Sequence, residues 1–358
     1  MLEFKIDFPD ALIDIDRKIT ISGAPADSDV IIRSKTERAG QVWRSQITVK
    51  SNESGEVDLA VSIPTSGSYT AANPMGLIYA QQAENAATQE LFHSSVHHAL
   101  HTELEAQCNE LEAKTVLTQR LAQDAVQRVE INEAGLKGVL FIPASSAAQP
   151  AVIVLKRHAD QPLDESQAAL YASRGYAAFA LDYELMPDVS ATTEQLAYFS
   201  HAFDWLREKI SPKNHFVAVS GYEDGAELAL VVGVQFADKV SAVIACEATA
   251  KVLQPYPLAV EALQGPLLLA SGQQHSASAY YQSIGERLEQ HGFDYNFQWY
   301  DFEGVAGGLQ FPHVPTTLHA NNTTQVLALA QANKALWFSI IGFLHQAVAE
   351  AAAGKPND

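Results

Sequence analysis

Residues 214–230, N-H-F-V-A-V-S-G-Y-E-D-G-A-E-L-A-L, constrain this chain more than any other stretch. An apolar run, His215–Val219, enters a tight turn with glycines at Gly221 and Gly225, and an amphipathic helix pattern follows at once. Glycine is the residue for places where two backbones must approach closely. A strand that folds back this sharply into a helix lifts the residue at the apex clear of both elements. That residue is Glu223.

The rest of the chain agrees with a strand–turn–helix unit of this kind from about residue 128 onward. The pattern predicts strands at Lys137–Ile142, Ala151–Leu155, Tyr176–Leu181, Val240–Cys246, Leu267–Ser271 and Asn296–Tyr300. It predicts helices at Asp164–Ser173, Thr193–Lys209, Asp224–Val234, Ala279–His291 and Thr324–Glu350. Near-continuous apolar strands alternating with helices indicate a mostly parallel sheet covered on both faces. Residues 1–125 read differently. Short β-type runs at Lys18–Ser22, Val30–Arg33, Val42–Val49 and Leu77–Ala80 are separated by Gly/Pro/Ser/Asn turn clusters. Such spacing indicates a β-sandwich. The expected organisation is therefore a sandwich over 1–125 and an α/β domain over 130–350.

Composition narrows the function classes. The chain has 358 residues and a formal net charge of −19, which disfavours nucleic acid and anionic membranes as partners. No uninterrupted apolar run reaches the ~18 residues of a bilayer span, and Met1–Asp16 does not read as a secretory signal. Cys108 and Cys246 lack metal spacing and point to a reducing, cytoplasmic setting with no disulfide framework. His93, His97, His98 and His101 resemble a metal set only by proximity. On a strand, His97 and His101 would share a face ~13 Å apart, too far to converge on one ion. No metal or other cofactor is expected.

Several segments, in order, carry a family resemblance: Gly55–Leu59 (G-E-V-D-L), Gly67–Leu77 (G-S-Y-T-A-A-N-P-M-G-L), Ala172–Tyr176 (A-S-R-G-Y), Glu194–Phe199 (E-Q-L-A-Y-F), Gly221–Leu230 and Phe311–Thr317 (F-P-H-V-P-T-T). Together they resemble the acyl-CoA thioesterases and bile-acid-CoA:amino-acid acyltransferases. The resemblance implies an N-terminal β-sandwich followed by an α/β-hydrolase domain, with Gly221–Gly225 as the nucleophile elbow. It also implies acyl-CoA chemistry through a Ser or Cys, an Asp and a His. Carried over position by position, the nucleophile slot holds Glu223. The acid slot falls at Gln274 or His275, and the histidine slot falls at Gly307. The oxyanion loop reads Lys156-Arg157-His158-Ala159-Asp160.

Hydrolysis of a thioester by this route needs a nucleophile, a base in hydrogen-bond reach and a third group that orients the base. Departures at all of these positions favour a family member with lost or altered catalysis, which binds an acyl-CoA or acyl ligand or a protein partner. The alternative is an active thioesterase or acyltransferase that uses Glu223 with a relocated histidine, His275, His158 or His313. Lys156, Arg157, His158 and Tyr222 are the candidate ligand-binding residues. Ser220, at the strand end, reads as packed, and Asp224 as the residue that caps the helix.

Overall fold

The structure, a computed structural model, describes residues 1–38, 40–85, 96–184, 193–249, 258–317 and 322–353. The chain forms two compact units, Met1–Leu121 with Gln310–Lys334, and Ala122–Leu309 with Ala335–Asp358. The stretch 310–334 thus falls in the first unit, although it follows the α/β segment in sequence.

The first unit contains β1 (Glu3–Ile6), β2 (Asp10–Leu12), β3 (Ile19–Ser22), β4 (Asp29–Arg38), β5 (Gln41–Lys50), β6 (Val57–Asp58), β7 (Ser66–Gly67), β8 (Gln82–Ala83), β9 (Leu100–Cys108) and β10 (Leu111–Arg120). A small sheet has the order β1-β3-β6, and a larger one runs β2-β10-β9-β4-β5-β7, with β8 also on β5. Alternate residues of β4, among them Val30 and Ile32, point inward, as the period of two requires. They meet Ile19 and Ile21 of the small sheet and Ile47, Leu104 and Leu117 of the large one in a single core. This is the sandwich expected from the turn spacing.

Leu77–Ala80 corrects the strand reading. Residues Gly76–Tyr79 form one helical turn, α1, with all four residues buried. The turn is started by Asn73, whose Oδ1 accepts from the Met75 N–H at 3.0 Å. Four apolar residues carry no period of their own, so the preceding Asn-Pro decided the conformation.

The second unit contains β11 (Gln127–Glu133), β12 (Leu136–Ile142), β13 (Ala151–Val154), β14 (Ala177–Asp182), β15 (Val217–Tyr222), β16 (Ala242–Cys246), β17 (Leu267–Gly272) and β18 (Phe297–Phe302). Its helices are α2 (Glu165–Ser173), α3 (Thr193–Ile210), α4 (Asp224–Gln235) and α5 (Ala277–Gln290). The sheet order is β11-β12-β14-β13-β15-β16-β17-β18. β12 pairs antiparallel with both its neighbours, and β14 through β18 are parallel. That order and direction make an α/β-hydrolase sheet. Every residue of β13, β15, β16 and β17 is buried, which is why these strands read as apolar runs without alternation. β13 lies between β14 and β15, so the chain reverses its direction of strand addition there. Sites in open α/β sheets form at the carboxyl ends of strands beside such a reversal.

α2 begins one residue later than its pattern suggested, because Asp164 is the cap and accepts from the Gln167 N–H at 3.1 Å. The last helix, α6 (Thr323–Ala353), has a mean hydropathy of 1.4 over its most apolar window, and half of that window is buried. By length and composition it could cross a membrane, as a buried core helix equally can. Counting only uninterrupted apolar runs missed this, because polar residues such as Gln331 and Asn333 break the run without lowering the mean enough.

Both elbow glycines are required by close approach. A Cβ at Gly221 would lie 2.1 Å from the Gly225 carbonyl oxygen, and one at Gly225 would lie 2.3 Å from the Lys156 carbonyl oxygen. Neither obstacle is a side chain that can rotate away. Gly221→Ala is expected to cost roughly 2 kcal/mol as the strand and α4 are forced apart. Urea unfolding would check it, and a midpoint equal to that of the parent would contradict the close approach.

Candidate functional site

The apex of the β15–α4 turn is Glu223, with φ 56° and ψ −120°. A non-glycine residue in this region costs on the order of 1–3 kcal/mol and persists only where its surroundings enforce it. Its N–H donates to the Cys246 carbonyl at 2.9 Å, tying the apex to the neighbouring strand end. The side chain is partly exposed and leaves the turn toward the loop after β13.

That loop supplies both partners of the apex carboxylate. Arg157 Nη1 donates to Glu223 Oε1 at 3.2 Å, and His158 Nε2 lies 2.5 Å from Glu223 Oε2. Each cation is held from behind. The Arg157 guanidinium lies 4.6 Å from the centroid of the Tyr222 ring, its Nη2 donates to the Leu309 carbonyl at 3.1 Å, and Asp164 is 3.7 Å away. His158 Nδ1 is 2.7 Å from Asp224 Oδ2. The Thr249 hydroxyl lies 3.0 Å from Asp224 Oδ1 and 2.7 Å from Glu227 Oε1.

The electrostatics follow from this packing. Burial opposes the charge on His158, but the carboxylates of Asp224 and Glu223 outweigh it and raise its pKa. With an acceptor on each nitrogen, His158 is an imidazolium that donates twice. Burial likewise opposes Arg157, and Asp164 and Glu223 outweigh it. Burial pushes the Asp164 carboxyl up against the pull of Arg157.

Lys156 turns the other way. It is buried, donates to Asp182 Oδ1 at 3.0 Å and sits 5.3 Å from the Tyr183 ring centroid. Tyr222 is buried and packs as the platform for Arg157. Asp224 does not cap α4 as expected; it is the first helical residue, and its carboxylate is taken by His158 and Thr249. Ser220 is buried, its hydroxyl 3.1 Å from that of Tyr171. Cys246 is buried, and burial pushes its thiol up.

The acid and histidine slots come together. A Cβ at Gly307 would lie 3.2 Å from His275 Cδ2 and 3.7 Å from Glu247 Oε1, so the His275 ring abuts the glycine. The charge of Glu223 is felt at both His275 and Glu247. Gln274 is exposed. His275 Nδ1 accepts from the Ala277 N–H at 3.1 Å, which places the proton of the neutral ring on Nε2. Burial lowers the pKa of His275 despite Glu223. His313 belongs to the first unit. Its Nδ1 is 2.7 Å from the Ile13 carbonyl, and its Nε2 is 3.1 Å from Asp16 Oδ1.

Glu247, just past β16, escaped the sequence reading. It is buried, has φ 58°, and its Oε2 accepts from the Gly308 and Leu309 N–H groups at 3.0 and 2.9 Å. Its Oε1 is buried without a hydrogen-bond partner. Burial raises its pKa to about 7, against the Leu309 N–H and Arg157. The signal available was its place: a carboxylate at the carboxyl end of a central parallel strand. Among the described residues, no group of three His, Cys, Asp or Glu side chains converges as a metal site. His93 lies outside the described residues.

Comparison with known proteins gives a consistent answer. Residues 14–133 match the family described as "Acyl-CoA thioester hydrolase/BAAT N-terminal region". Acyl-coenzyme A thioesterase 1 of Rattus norvegicus is 29% identical over 223 residues, covering 60% of this chain and 53% of that protein. Acyl-coenzyme A amino acid N-acyltransferase 2 of Mus musculus is 28% identical over 236 residues, covering 62% and 56%. Bile acid-CoA:amino acid N-acyltransferase of Homo sapiens is 30% identical over 185 residues, covering 48% and 44%. The matched part therefore spans about half the length of these relatives. Among solved structures, an α/β hydrolase from a Medee basin deep-sea metagenome library overlaps with a TM-score of 0.46 at 16% identity, covering 63% of this chain and 98% of that one. The sandwich that precedes an α/β-hydrolase sheet, the elbow and these matches agree: the chain belongs to the acyl-CoA thioester hydrolase and bile acid-CoA:amino acid N-acyltransferase family.

Proposed function

We propose that this chain keeps an acyl-CoA-directed site but has given up hydrolysis by the serine or cysteine route. One observation carries the reading. The nucleophile position holds a carboxylate, and both of its oxygens are gripped by cations, Arg157 and His158, from the loop expected to form the oxyanion hole. The acyl-CoA ligand is inferred from the relatives' activities. The cytoplasm remains the proposed compartment, supported by the two free, buried thiols.

The rival reading, a working hydrolase with a relocated histidine, draws on His158, which sits within hydrogen-bond reach of Glu223 and is oriented by Asp224. That geometry is right for a base, but the protonation is wrong. An imidazolium between two carboxylates has no lone pair with which to take a proton from water. His275 is oriented with its proton on Nε2, and His313 is engaged at both nitrogens within the other unit.

The expected result is background release of free CoA from short, medium and long acyl-CoA, with the ligands nevertheless bound in equilibrium dialysis. A fluorophosphonate probe should leave residue 223 unlabelled. Glu223→Ser alone should not restore strong turnover, since Gly307 supplies no base. Rapid hydrolysis by the native protein that disappears in Glu223→Ala would overturn the reading.

A further inference from the structure

With hydrolysis set aside, the arrangement around Glu223 still has features that packing alone does not call for. The apex keeps its strained backbone with a glutamate on it. The side chain is held in one pose by two cations, each with its own carboxylate or carbonyl behind it. Groups placed this way against a carboxylate also face the oxyanion that forms when the carboxylate attacks a carbonyl carbon. A carboxylate is a recognised covalent nucleophile. Attack on a thioester gives an anhydride and a thiolate. The histidines named above offer no lone pair to activate water, so the strongest nucleophile left beside the anhydride is the thiolate just released.

We propose that Glu223 is the nucleophile of a thioester exchange, in which CoA passes from an acyl-CoA to a second carboxylic acid. This rests on the reading that the site takes acyl-CoA. In the first step a Glu223 carboxylate oxygen bonds to the thioester carbonyl carbon. The carbon–sulfur bond breaks, and CoA leaves as a thiolate paired with the His158 imidazolium. The thiolate then attacks the Glu223 carbonyl carbon of the anhydride, the acyl group departs as a carboxylate, and Glu223 becomes a thioester of CoA. An incoming carboxylate attacks that thioester, again giving an anhydride and a thiolate. Attack of the thiolate on the incoming acyl carbon yields the new acyl-CoA and returns Glu223. One thioester is consumed and one is made; water, oxidant and net protons do not enter.

Arg157 and His158 are the residues assigned to the oxyanion and the thiolate. Asp224 is a positioning residue, since it acts through His158.

The test uses the full chain with octanoyl-CoA and carbon-13-labelled hexanoate near neutral pH, followed by mass spectrometry. Labelled hexanoyl-CoA should form at least tenfold faster than free CoA appears, on the order of the gap expected when no base delivers water. Glu223→Gln should lose roughly a hundredfold or more of the exchange. Borohydride added during turnover should reduce the Glu223 thioester to an alcohol, leaving a mass loss on the peptide that carries residue 223. This readout uses the native protein and does not depend on the variant folding. Exchange that survives Glu223→Gln in a folded variant would overturn the assignment of the nucleophile. Bound octanoyl-CoA with neither exchange nor a trapped peptide would overturn the exchange while leaving the binding reading intact. Glu223-dependent release of octanoate and free CoA without hexanoyl-CoA would overturn both, and so would failure of octanoyl-CoA to bind.

Discussion

Replacing Glu247 by glutamine is expected to remove a pH-dependent loss of stability of roughly 3 kcal/mol. The side chain is buried, and burial raises its pKa from 4.5 to about 7. The sign follows from that direction. The folded state holds the proton more tightly than the unfolded chain does. The stabilisation is therefore complete below about 4.5 and disappears as pH rises through about 7. Above that range the native protein carries a buried carboxylate with one oxygen lacking a partner. Glutamine keeps a carbonyl oxygen for the Gly308 and Leu309 N–H groups and cannot ionise. Urea unfolding at about pH 5 and about pH 8 should show the parent losing stability relative to Glu247→Gln as pH rises. Parallel pH profiles for the two proteins would mean that Glu247 is not held in the environment described.

Arg157→Met is expected to be the most damaging single change in the site, at roughly 3 kcal/mol. Methionine retains the aliphatic bulk over Tyr222 but strands three acceptors: Glu223 Oε1, the Leu309 carbonyl and Asp164. Removing one member of a buried pair costs about 3–5 kcal/mol, because the other charge is left without its counter-ion. The lower end applies because the Arg157 and Glu223 side chains retain 23% and 28% of their exposure. Adding Glu223→Gln to Arg157→Met should recover more than about 0.5 kcal/mol, since the two residues are in contact and their effects cannot be additive. A loss within about 0.5 kcal/mol for Arg157→Met alone would show that the guanidinium is not the hub of this cluster.

The clamp also bears on how the Gly307 loop is fixed. Glu247 accepts two of its N–H groups, and Arg157 donates to the carbonyl of Leu309, so the loop is held from both sides. The position that the resemblance assigns to a catalytic histidine has become an anchor point. The adjoining His275 ring occupies the space into which a side chain at 307 would grow. Returning a histidine to 307 would therefore require moving His275 as well as straining a backbone at φ +152°.

By itself the sequence determined the order of the strands and helices of the α/β unit, because apolar runs, helical periods and turn residues act over a few neighbours. It also determined the apex. The spacing of Gly221 and Gly225 makes the elbow possible, and chain order alone puts Glu223 at its tip. β9 and β10 were harder to see. Their outward faces carry residues such as His101, Glu103 and Glu105, and only pairing in the sheet turns that alternation into a long hairpin. The chemistry of the site was decided by tertiary structure. Arg157 and Glu223 are 66 residues apart, and Gly308 and Glu247 are 61 apart. No local pattern relates residues so distant; the order β14-β13-β15-β16-β17 sets those strand ends side by side. Whether His158 is a base or an imidazolium, and whether Glu247 sits near 7 or near 4.5, depends on which carboxylates and N–H groups surround each one after folding. Those neighbours are set by the packing of the sheet, and the sequence held them only as separate letters.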